Sequence, residues 1–141
     1  MPLVRCSEQN RQTLEEFYFE WASEQNEVSA RLGESMLKVI ELINKTFVET
    51  KLYGLTSHAH LLLLSENDST SNRHVALIAN SEEYVVEYRI TDENQSQRNP
   101  SIKVVTKSIE EFKNSLIIAL FESQGWTKNN ELNNLFSQIK I

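Results

Sequence analysis

Residues 83–90, EYVVEYRI, decide how the rest of the chain is read. Tyr84, Val86, Tyr88 and Ile90 alternate with Glu83, Val85, Glu87 and Arg89. Successive strand side chains point to opposite faces, so this two-residue period sets an apolar row inward and a mostly charged row outward. The expectation is a half-exposed β-strand.

Upstream, HAHLLLLS (58–65) and RHVALIAN (73–80) are runs of strand length separated by the turn-rich ENDSTSN. Both are apolar on each face, which predicts central strands covered from both sides. Downstream, the polar TDENQSQRNPS leads into IKVVTK (102–107), with Ile102 and Val104 inward and Lys103 and Lys107 outward. Lysines there can face Glu87 across the ladder and discourage edge-to-edge association. Short connections make a four-stranded antiparallel meander over about 57–107 the economical topology.

The flanks carry a helical period. Leu14, Phe17, Tyr18 and Trp21 form one stripe, with Ser7 as N-cap and Glu8 in the first turn. After a lapse the period resumes at Leu32, Met36, Ile40, Ile43 and Phe47, giving helices over about 8–24 and 28–52. One long kinked helix is the alternative, because no proline forces the break. Gly54 and Gly125 follow helical patterns and are expected as left-handed terminal residues. Gly33 sits inside a helix at a cost of about 1 kcal/mol relative to Ala. Ser108 and Glu111 read as a capping box ahead of Ile109, Phe112, Leu116, Ile117 and Leu120. That helix is apolar over more than half its circumference, so it should lie buried across the sheet. Leu132, Leu135, Phe136 and Ile139 mark a short final helix. The expected architecture is therefore α+β: one domain over 1–141, with the meander packed against N-terminal helices and a C-terminal helix pair.

Composition narrows the functional classes. Fourteen Lys and Arg against 20 Asp and Glu leave a net charge of −6, with no basic cluster, which disfavours a nucleic-acid ligand. An acidic surface complements a basic protein partner. One cysteine among 141 residues allows no internal disulfide, and the first residues lack a secretory signal. No apolar run approaches the roughly 20 residues of a membrane span. A cytoplasmic protein without membrane contact is expected.

Candidate sites divide into acids, aromatics and histidines. His58 and His60 would share one strand face and could supply two metal ligands or a general base. Antiparallel pairing, however, sets His74 opposite about Leu64, roughly 13 Å along the strand from His60. Three imidazoles then cannot meet one ion, and no metal site is expected. Cys6 has no neighbouring histidine to activate it as a nucleophile. Three glycines make no phosphate-cradling loop, so no nucleotide cofactor, or any other, is expected. Phe17, Tyr18, Phe19 and Trp21 crowd into five positions, so Phe19 should fall off the core stripe: either the first helix is sandwiched and buries both sides, or it carries a dimer or partner surface.

In size, acidity and α+β order, most of the chain resembles the small acidic immunity proteins of bacterial toxin–immunity pairs. The resemblance implies a non-catalytic module that occludes a basic partner, with Glu82, Glu83, Glu87 and Asp92 pairing with the partner's basic residues. A secretion-chaperone-like module, receiving a peptide on the sheet or first helix, is of the same class. The alternative is a small enzyme using His58 or His60 as general base in a pocket at the strand entrance.

Overall fold

A computed structural model describes residues 2–9, 11–68, 74–80, 82–89 and 101–139. A short strand β1 (Leu3–Arg5) and a 3-10 turn (Ser7–Gln9) precede α1 (Leu14–Ala22) and α2 (Glu27–Thr46). Strands β2 (Leu52–Ser57), β3 (His60–Leu64), β4 (His74–Ala79), β5 (Tyr84–Arg89) and β6 (Ser101–Thr106) follow, then α3 (Ile109–Glu122) and α4 (Asn130–Ser137).

The class is α+β, but the sheet of the described residues has six strands in the order β1-β2-β3-β4-β5-β6 rather than the four expected. β1 runs parallel to β2, and every other pair is antiparallel. Two strands escaped the sequence reading for different reasons. β1 is three residues long, too short for a period. β2 falls between the helix expected to run to 52 and the sheet expected from 57, and Gly54 inside it reads as a helix terminus rather than a strand residue. The central registers agree with expectation: His74 faces Leu64, and Lys103 faces Glu87.

α1 starts later than Ser7 predicts, because Thr13 with Glu16 makes the complete capping box. Asn26 caps α2 through the Val28 and Ser29 N–H groups, so the two helices are separate. They meet at Gly33. A Cβ there would stand 2.3 Å from the Ala22 nitrogen and 2.6 Å from the Tyr18 carbonyl oxygen. Close backbone approach, not flexibility, is thus the reason for a glycine inside α2. Gly54 lies within β2, where a Cβ would meet Leu14 Cδ1 at 2.6 Å. No glycine of the described residues has positive φ; the left-handed position after α3 is taken by Gln124, φ 63°.

The helices cover one face of the sheet. Leu61 and Leu63 of β3, Val75 and Leu77 of β4 and Val86 of β5 meet Met36, Val39, Ile40 and Ile43 of α2 and Phe112, Leu116 and Ile117 of α3 in one core. Each such buried side chain contributes about 1.5–3 kcal/mol. The expectation of cover on both sides fails. On the reverse face, Tyr53, Leu55, Leu62, Ile78 and Val85 are half-buried and Val105 is 47% exposed, with no helix of the described residues upon them.

Past α2, the chain needs acceptors for its free N–H groups. Val48, Glu49 and Thr50 donate to the Glu131 carboxylate at the start of α4, at 2.8–3.1 Å, and the Thr50 hydroxyl donates to it at 2.6 Å. Trp126 Nε1 donates to the Lys51 carbonyl at 3.2 Å. These contacts lock the C-terminal segment against the entry to β2.

Candidate functional site

The capping box that starts α1 also positions acidic groups. Thr13 Oγ1 accepts from the Glu16 N–H at 3.1 Å, and Glu16 Oε1 accepts from the Thr13 N–H at 3.0 Å. The Thr13 N–H, followed by its hydroxyl, holds the Glu16 carboxyl below the usual carboxylate range. From that start the helical period turns Leu14 and Tyr18 into the core, with Phe17 and Trp21 packed at its edge. Residues 15, 16, 19 and 20 are left on the outward side.

Phe19 is 64% exposed. It borders a groove of about 430 Å³ lined by Gln12, Glu15, Glu16, Glu20 and, from α2, Leu37. Gln12 Nε2 donates to Glu20 Oε1 at 3.0 Å and steadies one wall. The ion pairs of the described residues, Arg31–Glu27 and Lys45–Glu41, both lie on α2. The ridge therefore presents three carboxylates and an aromatic ring without a paired cation. Carboxylates and an aromatic face are the groups that can take up Lys or Arg side chains, by ion pairing and through the ring face.

A cavity of about 570 Å³ adjoins the groove, shares Gln12, Glu15 and Glu16 with it, and reaches Arg5 on β1. Arg5 is held by the Gln12 carbonyl at 3.0 Å and Thr56 Oγ1 at 2.7 Å, with its guanidinium 5.0 Å from the Phe17 ring centroid. Beneath α1, the Tyr18 hydroxyl donates to the Ala59 carbonyl at 2.9 Å. Burial pushes that phenol well above its ordinary range, and the positive charge of Arg5 opposes the shift.

The residues singled out from sequence fall on separate surfaces. Phe19 is on α1, over the helix-covered face. Glu82 and Glu83 sit at the β4–β5 turn, where Asn80 Oδ1 accepts both of their N–H groups at 2.9 Å. Glu87 is exposed on the reverse face, directly across from Lys103. Asp92 lies outside the described residues.

His58 and His60 do not share a strand face. Ser57 pairs with His60, which makes His58–Ala59 a two-residue hairpin turn with His58 at φ 55°. Both imidazoles are exposed. Cys6 is buried, its sulfur 3.1 Å from Asn67 Oδ1. Among the described residues no group of three or more His, Cys, Asp or Glu could hold a metal ion, and no helix is long and apolar enough to cross a membrane.

Sequence spacing placed Phe19 off the core stripe, as its exposure shows, but did not single out the residues beside it. Glu15–Phe19 and Glu16–Glu20 are each four apart, the spacing of side chains adjacent on a helix. That signal was present, but the contribution of Leu37 required the packing of α2. Comparison with protein-family models, with curated proteins and with solved structures found nothing that matches this chain.

Proposed function

We propose that the chain is a non-catalytic protein-binding module that captures a basic partner through the outward ridge of α1. An immunity-type inhibitor, which blocks a basic active site by occlusion, is the specific form of this reading. The observation that carries it is Phe19, 64% exposed and set among Glu15, Glu16 and Glu20. An aromatic side chain presents roughly 200 Å², so covering the exposed part removes about 130 Å² from water, worth about 3 kcal/mol. The net charge of −6 adds steering toward a basic surface. Glu82 and Glu83 extend the acidic field at another edge, whereas Lys103 offsets Glu87.

The test is affinity capture from the native host with the wild type, Phe19→Ser, and the double variant Glu15→Gln with Glu20→Gln. Glu16 is spared because it caps α1. The reading requires a basic protein that the wild type retains and both variants lose, with purified-partner affinity falling as salt rises. Equal recovery by all three proteins rejects it.

A further inference from the structure

We infer that the open face of the sheet is the contact surface of a homodimer, two copies packing sheet against sheet. This is a different surface from the α1 ridge and does not depend on it. The apolar pattern of β3 and β4 asks for cover on both sides, and the helices of the described residues supply it on one. The register lays this face out in three rows: Tyr53, Leu64, His74, Arg89 and Ser101; then Leu55, Leu62, Ala76, Glu87 and Lys103; then Ser57, His60, Ile78, Val85 and Val105. Leu64, 1% exposed, is already covered within the chain, so the face is open at the other positions. Its middle is aliphatic, and its charges gather on β5 and β6.

Charge decides in favour of a second copy. The permanently charged strand residues on this face are Glu87, Arg89 and Lys103, one negative and two positive, in a chain whose net charge is −6. The negative charge that would drive two copies apart therefore lies elsewhere, on α1 and α2 among other places. Glu87 stands directly across from Lys103 and one row from Arg89, so the face carries both members of a pair and can complement its own image. Size sets the strength. The five strands of those rows, spaced by ~4.8 Å and about five residues long at ~3.3 Å each, project roughly 400 Å² per copy, or about 800 Å² for the pair. That is below the size of standard specific interfaces and in the range of weak, transient ones, so a weakly associating dimer is expected.

Sedimentation equilibrium of the full chain from 5 to 500 μM tests this, with circular dichroism to confirm folding of each variant. The wild type should move from monomer to dimer across that range. Val105→Glu, at a position already 47% exposed, should weaken the dimer at least tenfold. Glu87→Lys should weaken it, and Glu87→Lys combined with Lys103→Glu should restore it. Phe19→Ser should leave it unchanged, which separates this interface from the α1 ridge. Monomeric wild type at 500 μM, or a dimer insensitive to Val105→Glu and to Glu87→Lys, overturns the inference.

Discussion

Gly33→Ala sets helix propensity against packing, and the structure says which wins. On an isolated helix the change stabilises by about 1 kcal/mol, because alanine loses less backbone entropy. Here the new methyl would stand 2.3 Å from the Ala22 nitrogen, 2.6 Å from the Tyr18 oxygen and 2.8 Å from the Ala22 Cα. Comfortable carbon contacts begin near 3.5 Å, so α1 would have to retreat by about 1 Å. The opposing atoms are backbone and cannot rotate away. Retreat would also strain the Tyr18 hydrogen bond to Ala59 and lift Leu14 from its seat over Gly54. Overpacking of this kind costs about 1–3 kcal/mol, and three backbone clashes place it at the upper end. The net expectation is a loss of about 2 kcal/mol, or about 4–8 °C in Tm for a chain of this size. Urea unfolding followed by tryptophan fluorescence measures it, since Trp21 rides on α1. An alanine variant as stable as the wild type, or more stable, would refute the close-approach account.

Glu131→Gln should destabilise by about 1–3 kcal/mol, because one amide oxygen cannot serve the four donors of residues 48–50 and the amide N–H groups would face them. Burial works to raise the Glu131 pKa, but the Thr50 hydroxyl and the three backbone N–H groups outweigh it and hold the carboxyl below its ordinary value. Its contribution is thus present above the unfolded pKa of about 4.3 and disappears as pH falls through the folded value. Urea midpoints from pH 7 to 3 should therefore fall more steeply for the wild type than for Glu131→Gln. Tyr18 and Tyr88 are both shifted upward, each first by burial, Tyr88 further by its 2.5 Å hydrogen bond to Glu122 and by that group's charge. Their contribution is present below the ordinary tyrosine value near 10 and lost as pH rises through the folded values. Denaturation between pH 9 and 12 should show a smaller alkaline loss in Tyr18→Phe and Tyr88→Phe than in the wild type. His58→Gly should stabilise by up to about 1 kcal/mol by relieving the left-handed turn, read as a rise in Tm; a fall would show that the imidazole makes a contact worth more than the strain.

The parts of the fold legible in the sequence are those whose period is local and long enough to count. EYVVEYRI, the four leucines of β3 and the apolar stripes of α2 and α3 declared their elements. Loop lengths then carried the register far enough to place His74 opposite Leu64. The opaque parts depend on partners distant in the chain. Nothing near Val48 announces that its N–H will be met by a carboxylate 83 residues away. Gly33 declared an anomaly but not its cause, which is the path of α1. Ser7 and Thr13 both look like N-caps, yet only Thr13 has a glutamate three residues on, so that distinction was available locally. At the candidate site, spacing alone put Phe19 off the core stripe. The split of the acidic candidates between opposite surfaces followed from strand register and could not be read from charge.

β1 has a consequence for how the chain reaches its folded state. Its three residues are joined to their parallel neighbour only by way of α1 and α2, so Leu3 must find Leu52 across 49 positions. Such a pairing is favourable only after the helical hairpin has shortened the path. The first strand is accordingly a latch that shuts late, and until it shuts the six-residue flank of β2 is a bare template for another chain. Trimming or fusing residues at the front of the molecule would therefore show up as aggregation during refolding before any loss of the finished core.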